Sequence, residues 1–148
     1  MPTSTRFVVA VHALTALAVS DGKPMRSEDI AYSANTSPVV IRGLLSRLSD
    51  AGLTRAQLGA GGGALLAKSA QKIKLLDVYE AVEDTEVFSL HRTPPCEECV
   101  VGSNIVEAIQ PTLIRARKAL EDELAKVTVA DIASKVARLG KFSIPLEW

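Results

Sequence analysis

Cysteine, histidine and long apolar runs are all scarce in this 148-residue chain, and each scarcity removes a class of function. Two cysteines cannot staple a secreted disulfide scaffold, so a reducing, cytoplasmic setting is expected. With only two histidines, His12 and His91, no Ser/His/Asp nucleophile arrangement is readable and no enzyme is expected. His12 lies within an apolar helical stretch and reads as a packed residue. The longest apolar run, residues 7–19, has 13 residues, too few to span a bilayer. Its length suits a signal-peptide core, and Ala16-Leu17-Ala18 resembles a cleavage site. Against that, one Arg precedes it, and Phe7, Val11, Leu14 and Ala18 keep helical spacing. No membrane partner is expected. Net charge is missing too, formally zero, but its distribution is uneven. Residues 1–74 hold 9 Lys and Arg against 4 Asp and Glu, and residues 75–148 hold 8 against 13. A basic front half suits an anionic partner such as nucleic acid, and an acidic rear half suits a different one.

What the chain does have is the motif SPVVIRGLLSRLSDAGLTRAQLGAGGGALL at residues 37–66. Ile41, Leu44, Leu45 and Leu48 form one apolar helical face. Ser37 is placed to cap that helix, Pro38 suits its first position, and Gly52 falls where a left-handed C-cap belongs. Val39, Gly43 and Ser46 lie opposite, flanked by Arg42 and Arg47, so the outer face carries cations and little bulk. Residues 53–58 and 64–67 read as two strands joined across Gly59, Gly61, Gly62 and Gly63. Upstream, a helix over residues 5–19 capped by Ser4 precedes a second helix capped by Ser27, with Glu28 and Asp29 in its first turn. Asn35-Thr36 turns that helix into the next, completing a helix-turn-helix pair. Helix pair plus hairpin suggests a winged helix-turn-helix, and so DNA. A short strand near residues 72–74 and a helix over 75–84 follow.

Residues 87–103 have no period, two consecutive prolines and both cysteines, and read as loop. A long helix over 104–127 then carries Ile105, Ile109, Leu113, Ala116, Leu120, Leu124 and Val127 in one stripe, the pattern of helix-on-helix packing. Pro111 should kink it or mark its true start. Little chain remains to cover this stripe, so a second subunit is expected to, with Val11 of the all-round apolar first helix joining the interface. Thr128 and Asp131 open a last helix as a capping box, ending near Leu139-Gly140. The fold class is therefore mainly α with a small β-hairpin wing. It comprises a winged helix-turn-helix domain (1–84), a cysteine-containing loop (85–103), and a dimerisation helix with C-terminal segment (104–148).

Two motifs invite other chemistry. Gly59-x-Gly61-x-x-Ala64 matches a dinucleotide fingerprint, but the strand before it is too polar and the chain after it too short for a βαβ unit. No Gly-Lys-Ser/Thr follows, which excludes a P-loop. Cys96-Glu97-Glu98-Cys99 lacks the second ligand pair of a zinc site, with only His91 near, so no metal is expected. A redox enzyme of thioredoxin type wants such a pair at a helix start after a strand, whereas this one follows Pro94-Pro95 in a loop. Glu97 and Glu98 should raise the thiol pKa values, offset at Cys99 by the helix that follows. A surface thiol pair able to close a disulfide or take an adduct, and a pair of inert cysteines, both remain open.

With these elements in place the sequence resembles the Rrf-two family of bacterial winged-helix repressors. The resembling residues run from 5 to 132. They include Ser37-Pro38, Leu44 to Leu48, Ala51-Gly52-Leu53, Gly61-Gly62-Gly63, residues 76–83 and the cysteine loop. His91-x-x-Pro94 followed by residues 99–105 is similar to the YwnA-like branch. The resemblance implies a homodimer that binds a roughly two-fold DNA operator, with helix 3 in the major groove and the wing in the minor. Leu58 stands where family wings usually carry an arginine, and Ala64 where an aromatic follows the glycines. That leaves Arg55 or Lys68 to supply a cation. Cluster-binding members use three cysteines, and this chain has two at closer spacing, so no iron–sulfur cofactor is expected. The expected function is a DNA-binding transcriptional regulator, a repressor, with thiol-based sensing at Cys96, Cys99 and His91. Its expected DNA-contacting residues are Arg26, Ser27, Ser37, Pro38, Val39, Arg42, Gly43, Arg47, Arg55, Gly59, Gly61, Gly62 and Gly63, with Lys68, Lys72 and Lys74 as further cations. The dimer interface is expected at Val11, Ile105, Ile109, Leu113, Leu120 and Leu124. The alternative is a winged-helix protein-interaction module that does not bind DNA.

Overall fold

A computed structural model describes residues 4–84 and 86–147. Six α-helices and one hairpin are seen among these residues: α1 (Arg6–Val19), α2 (Ser27–Ala34), α3 (Pro38–Asp50), β1 (Thr54–Gln57), β2 (Gly63–Leu66), α4 (Leu75–Val82), α5 (Val100–Leu124) and α6 (Val129–Gly140). α1 is the central element, packing on α3, α4 and α6. Ala10 and Leu14 join Leu44 and Leu48 of α3, Val78 and Val82 of α4, and Val129 of α6 in one buried cluster. Ala13, Ala16 and Leu17 face the other way, onto Ile30, Ala31 and Ile41. The small residues of α1 thus let two layers close on one helix. His12 is exposed, its Nε2 2.8 Å from the Ser33 hydroxyl, so it is a surface residue rather than a packed one.

α3 forms as its sequence dictates. The Ser37 hydroxyl accepts from Val40 N–H at 3.3 Å, and Pro38 occupies the first turn. At the other end Gly52 adopts φ +76, letting Leu53 N–H reach back to the Leu48 carbonyl at 2.9 Å and Gly52 N–H to Ser49. That paired closure turns the chain directly into β1. β1 and β2 pair antiparallel from Thr54↔Leu66 to Gln57↔Gly63. Met25 adds a bridge to Ala64 so close that a Cβ on Gly63 would lie 2.4 Å from the Met25 carbonyl oxygen. The wing is therefore tied to the segment entering α2.

Several local expectations shift. Arg26, in extended conformation, precedes α2, and Ser27 is its first helical residue rather than its cap. Thr5 precedes α1; the Ser4 hydroxyl still accepts from Arg6 N–H, at 3.3 Å. In place of a strand near 72–74 there is a 3-10 turn, Ala70–Lys72, because the Ser69 hydroxyl caps it at Gln71 N–H. Lys74 makes only a single bridge, to Thr128, which anchors the start of α6. Thr128 and Asp131 do form the capping box. α5 begins at Val100, inside the segment read as loop, and runs through Pro111. Not one of its 25 residues is buried. No helix of the described residues is long and apolar enough to cross a membrane.

Candidate nucleic-acid interface

The first turn of α2, the outer face of α3 and the hairpin form one continuous surface. Val39, Arg42, Gly43 and Ser46 are exposed on α3, as are Arg26 and Arg55 on the flanking elements. Between α3 and the wing runs a groove of about 410 Å³, lined by Ser27, Arg42, Ser46, Arg55 and Gln57 among others. Thr54 fixes its floor, its hydroxyl donating to the Leu45 carbonyl at 3.2 Å. Glu28 lies among the cations, 3.5 Å from Arg26 and 3.6 Å from Arg42. Its own backbone N–H, and then the two guanidinium groups, hold its carboxyl below the usual range. Sequence reading saw in Glu28 only a helix-dipole acid. The signal available was Arg26, two residues before it.

Arg47 departs most from its expected role. Its Nη1 donates to the Val82 carbonyl at 3.1 Å and to Asp84 Oδ1 at 2.9 Å. Arg6 grips the other Asp84 oxygen at 3.0 Å. Hydrogen bonding from Arg47, backed by Arg6, holds the Asp84 carboxyl below its ordinary range. Arg47 thus ties the end of α4 to α3 and α1, turned away from the outer strip.

The wing glycines are likewise explained from within. Gly59 and Gly61 adopt φ +90 and +75, and a Cβ on Gly62 would meet the Gln57 carbonyl oxygen at 2.1 Å. These residues make a tight turn, so close approach to DNA is not needed to account for them. Leu58, beside them, is 90% exposed. Lys68, Lys72 and Lys74 are exposed beyond β2.

The cysteine loop has more structure than its sequence suggested. Cys99 is the N-cap residue of α5, without a side-chain cap hydrogen bond, and the nearby backbone N–H groups of Gly102 and Val101 draw its thiol below its ordinary value. This is the offset expected at Cys99 from the helix that follows, and it outweighs Glu97 and Glu98 there. Cys96 is wrapped onto the same turn, its carbonyl oxygen 2.2 Å from where a Gly102 Cβ would lie. Both thiols are free and exposed, as is His91.

Along α5, Ile105, Leu113, Leu120 and Leu124 are half-buried and Ile109 is exposed. Val87, Phe88 and Leu90 add an apolar edge beside Leu113 and Ile114, which sequence reading missed for want of a period. Val11 is half-buried against the α1 core.

The family model of Rrf2, described as an iron-dependent transcriptional regulator, matches residues 3–135. A relative named as an HTH-type transcriptional regulator, YwnA of Bacillus subtilis (strain 168), is 36% identical over 130 residues, 87% of this chain and 95% of its own. Among solved structures, the oxidized form of Staphylococcus aureus CymR is 28% identical with a TM-score of 0.68, covering 90% of this chain and 96% of that one. T. potens IscR is 25% identical with a TM-score of 0.65, covering 94% and 90%. These relatives are regulators, not enzymes. Iron does not fit the residues here. An iron–sulfur cluster takes four protein ligands, whereas this chain offers two adjacent thiols, and no group of three His, Cys, Asp or Glu among the described residues could hold a metal.

Proposed function

The chain belongs to the Rrf2 family of transcriptional regulators, and from that premise we propose that it is a homodimeric, DNA-binding repressor. The observation that carries this reading is the outward strip of α3, carrying little bulk, flanked by Arg26 and Arg42 and continuous with the winged groove. A helix so furnished enters a major groove while the cations meet phosphates. Ser37 and Gly43 would lie at base edges, Ser27, Pro38 and Arg55 along the backbone, and the wing over the minor groove. The uncovered α5 stripe supports pairing through α5, which would set the spacing of the two reading helices. Thiol-based sensing belongs to the same proposal: modification of Cys99, the N-cap residue of α5, would disturb the start of that helix, and α5 would carry the change to the dimer geometry. One solved relative, Staphylococcus aureus CymR, is described in an oxidized form.

Duplex binding measured by fluorescence anisotropy across a salt series tests the core of this reading. Affinity that falls steeply with salt, at a stoichiometry of two chains per site, is expected. Binding indifferent to salt, or no binding, refutes it and favours a protein-interaction module. Release of DNA by an oxidant that persists in Cys99→Ser removes the sensing element alone.

A further inference from the structure

The outer strip of α3 is almost without groups able to hydrogen-bond a base edge. In its first two turns Arg42 is the only charged or amide-bearing side chain, and the Ser37 oxygen is engaged as the helix cap. Arg47, further along, is held by Val82 and Asp84. What the strip presents instead is methyl groups: Val39 is 69% exposed and Val40 45%. One turn on, Gly43 has open space around it, with nothing within 4 Å of an added Cβ. A glycine inside a helix is less stable than alanine there, and no neighbour within the chain demands it.

In the major groove every base edge carries donors or acceptors, and thymine alone adds an apolar group, its C5 methyl. We infer that Val39 and Val40 read thymine methyl groups in the operator, Gly43 letting the α3 backbone seat close enough for the contact. Arg26 and Arg42 border this strip and supply its charge complementarity to phosphate, which orients the valines toward the groove floor. The inference rests on the DNA-binding reading above and adds to it the chemistry of recognition. Specificity in this chain comes from apolar fit rather than from paired hydrogen bonds.

Duplexes enriched by the full-length protein from a random library supply the test. Each thymine is replaced in turn by deoxyuridine, which deletes the methyl and keeps the base pair. The unmodified protein is expected to lose about fourfold in affinity for each contacted methyl removed. Val39→Ala or Val40→Ala should bind the thymine duplex more weakly and lose the response to deoxyuridine at the thymine that side chain contacts, keeping it at the other. Both side chains are exposed, so melting temperature should not change. Gly43→Ala should melt higher yet bind the same duplex less tightly. Specific, salt-dependent binding that ignores deoxyuridine at every position overturns the methyl reading and leaves DNA binding intact. Unchanged affinity in Gly43→Ala overturns the close seating. Failure to enrich any sequence overturns the DNA reading and this inference with it.

Discussion

Replacing Arg42 and Arg47 by alanine, one at a time, should separate a side chain that meets DNA from one that holds the fold. Arg42 is exposed, and its pair with Glu28, at 3.6 Å, is a surface contact worth little in water. Its loss should leave melting unchanged. On DNA each phosphate contact contributes about 0.9 to the slope of log affinity against log salt, so two copies in a dimer contribute about 1.8. Between about 50 and 200 mM salt, that slope alone changes the affinity ratio roughly tenfold. Arg47 is expected to behave in reverse. Its bond to the Val82 carbonyl, 3.1 Å long and part-buried, is worth about 1 kcal/mol. Losing it lowers the melting temperature by about 2–4 °C in a domain of this size. Circular dichroism melts and anisotropy titrations on one labelled duplex measure both quantities. If Arg47→Ala flattens the salt slope as much as Arg42→Ala and melts like the unmodified chain, the assignment of these two residues is wrong.

Four further outcomes follow from the same geometry. Glu28→Gln removes an acid held 3.5 Å from Arg26 and 3.6 Å from Arg42, so non-specific DNA affinity should rise at low salt; a fall would show that Glu28 positions the arginines productively. Leu58→Arg adds a cation at the exposed wing tip and should steepen the salt slope by about 1.8 per dimer, whereas an unchanged slope would place the wing off the DNA. The carboxyl of Asp84 is depressed below its ordinary 3.8, so its contribution is complete above that pH and fades as pH falls through the lowered value. Asp84→Asn should therefore melt lower near neutrality and converge with the unmodified chain in acid; a constant offset at all pH values would contradict the ion-pair account. Ile109→Glu, on the uncovered stripe of α5, should give a folded monomer by light scattering, and a persistent dimer would move the interface elsewhere.

The fold was legible wherever a rule is local. Ser37, Pro38 and Gly52 bracket α3 because caps and left-handed closures act within a few residues of themselves. The Thr128–Asp131 capping box is legible for the same reason. What escaped depends on partners distant in sequence. Periodicity says which face of α3 is apolar, but nothing near Arg47 announces a carbonyl at Val82 and a carboxylate at Asp84. The start of α5 was missed because Cys99 makes no side-chain cap hydrogen bond and so leaves no capping signal, while the prolines before it dominate the reading. Residues 70–74 failed differently, since Ser69 turns the backbone and overrides the alternation of Lys72 and Lys74. The candidate interface was read as a surface but not as a balance of charge, because Arg42, 3.6 Å from Glu28, comes from the next helix.

Residues that the fold does not need point most sharply to function. The wing glycines were attractive as a nucleic-acid signature, yet each is required by a positive φ or a carbonyl at van der Waals limit, so they carry no functional information alone. Gly43 is the opposite case, a helix-interior glycine with empty space around it. Val39 and Leu58 are large apolar side chains left exposed, and α5 extends for 25 residues without one buried side chain. An amphipathic helix draws most of its stability from the packing of its apolar face, so an α5 left bare is a standing cost to a single chain. The front half holds unused apolar contacts beside arginines, and the rear half holds an unused apolar stripe among acids. The proposed partners would resolve both at once: DNA, with its thymine methyl groups, in front, and another copy of the chain behind.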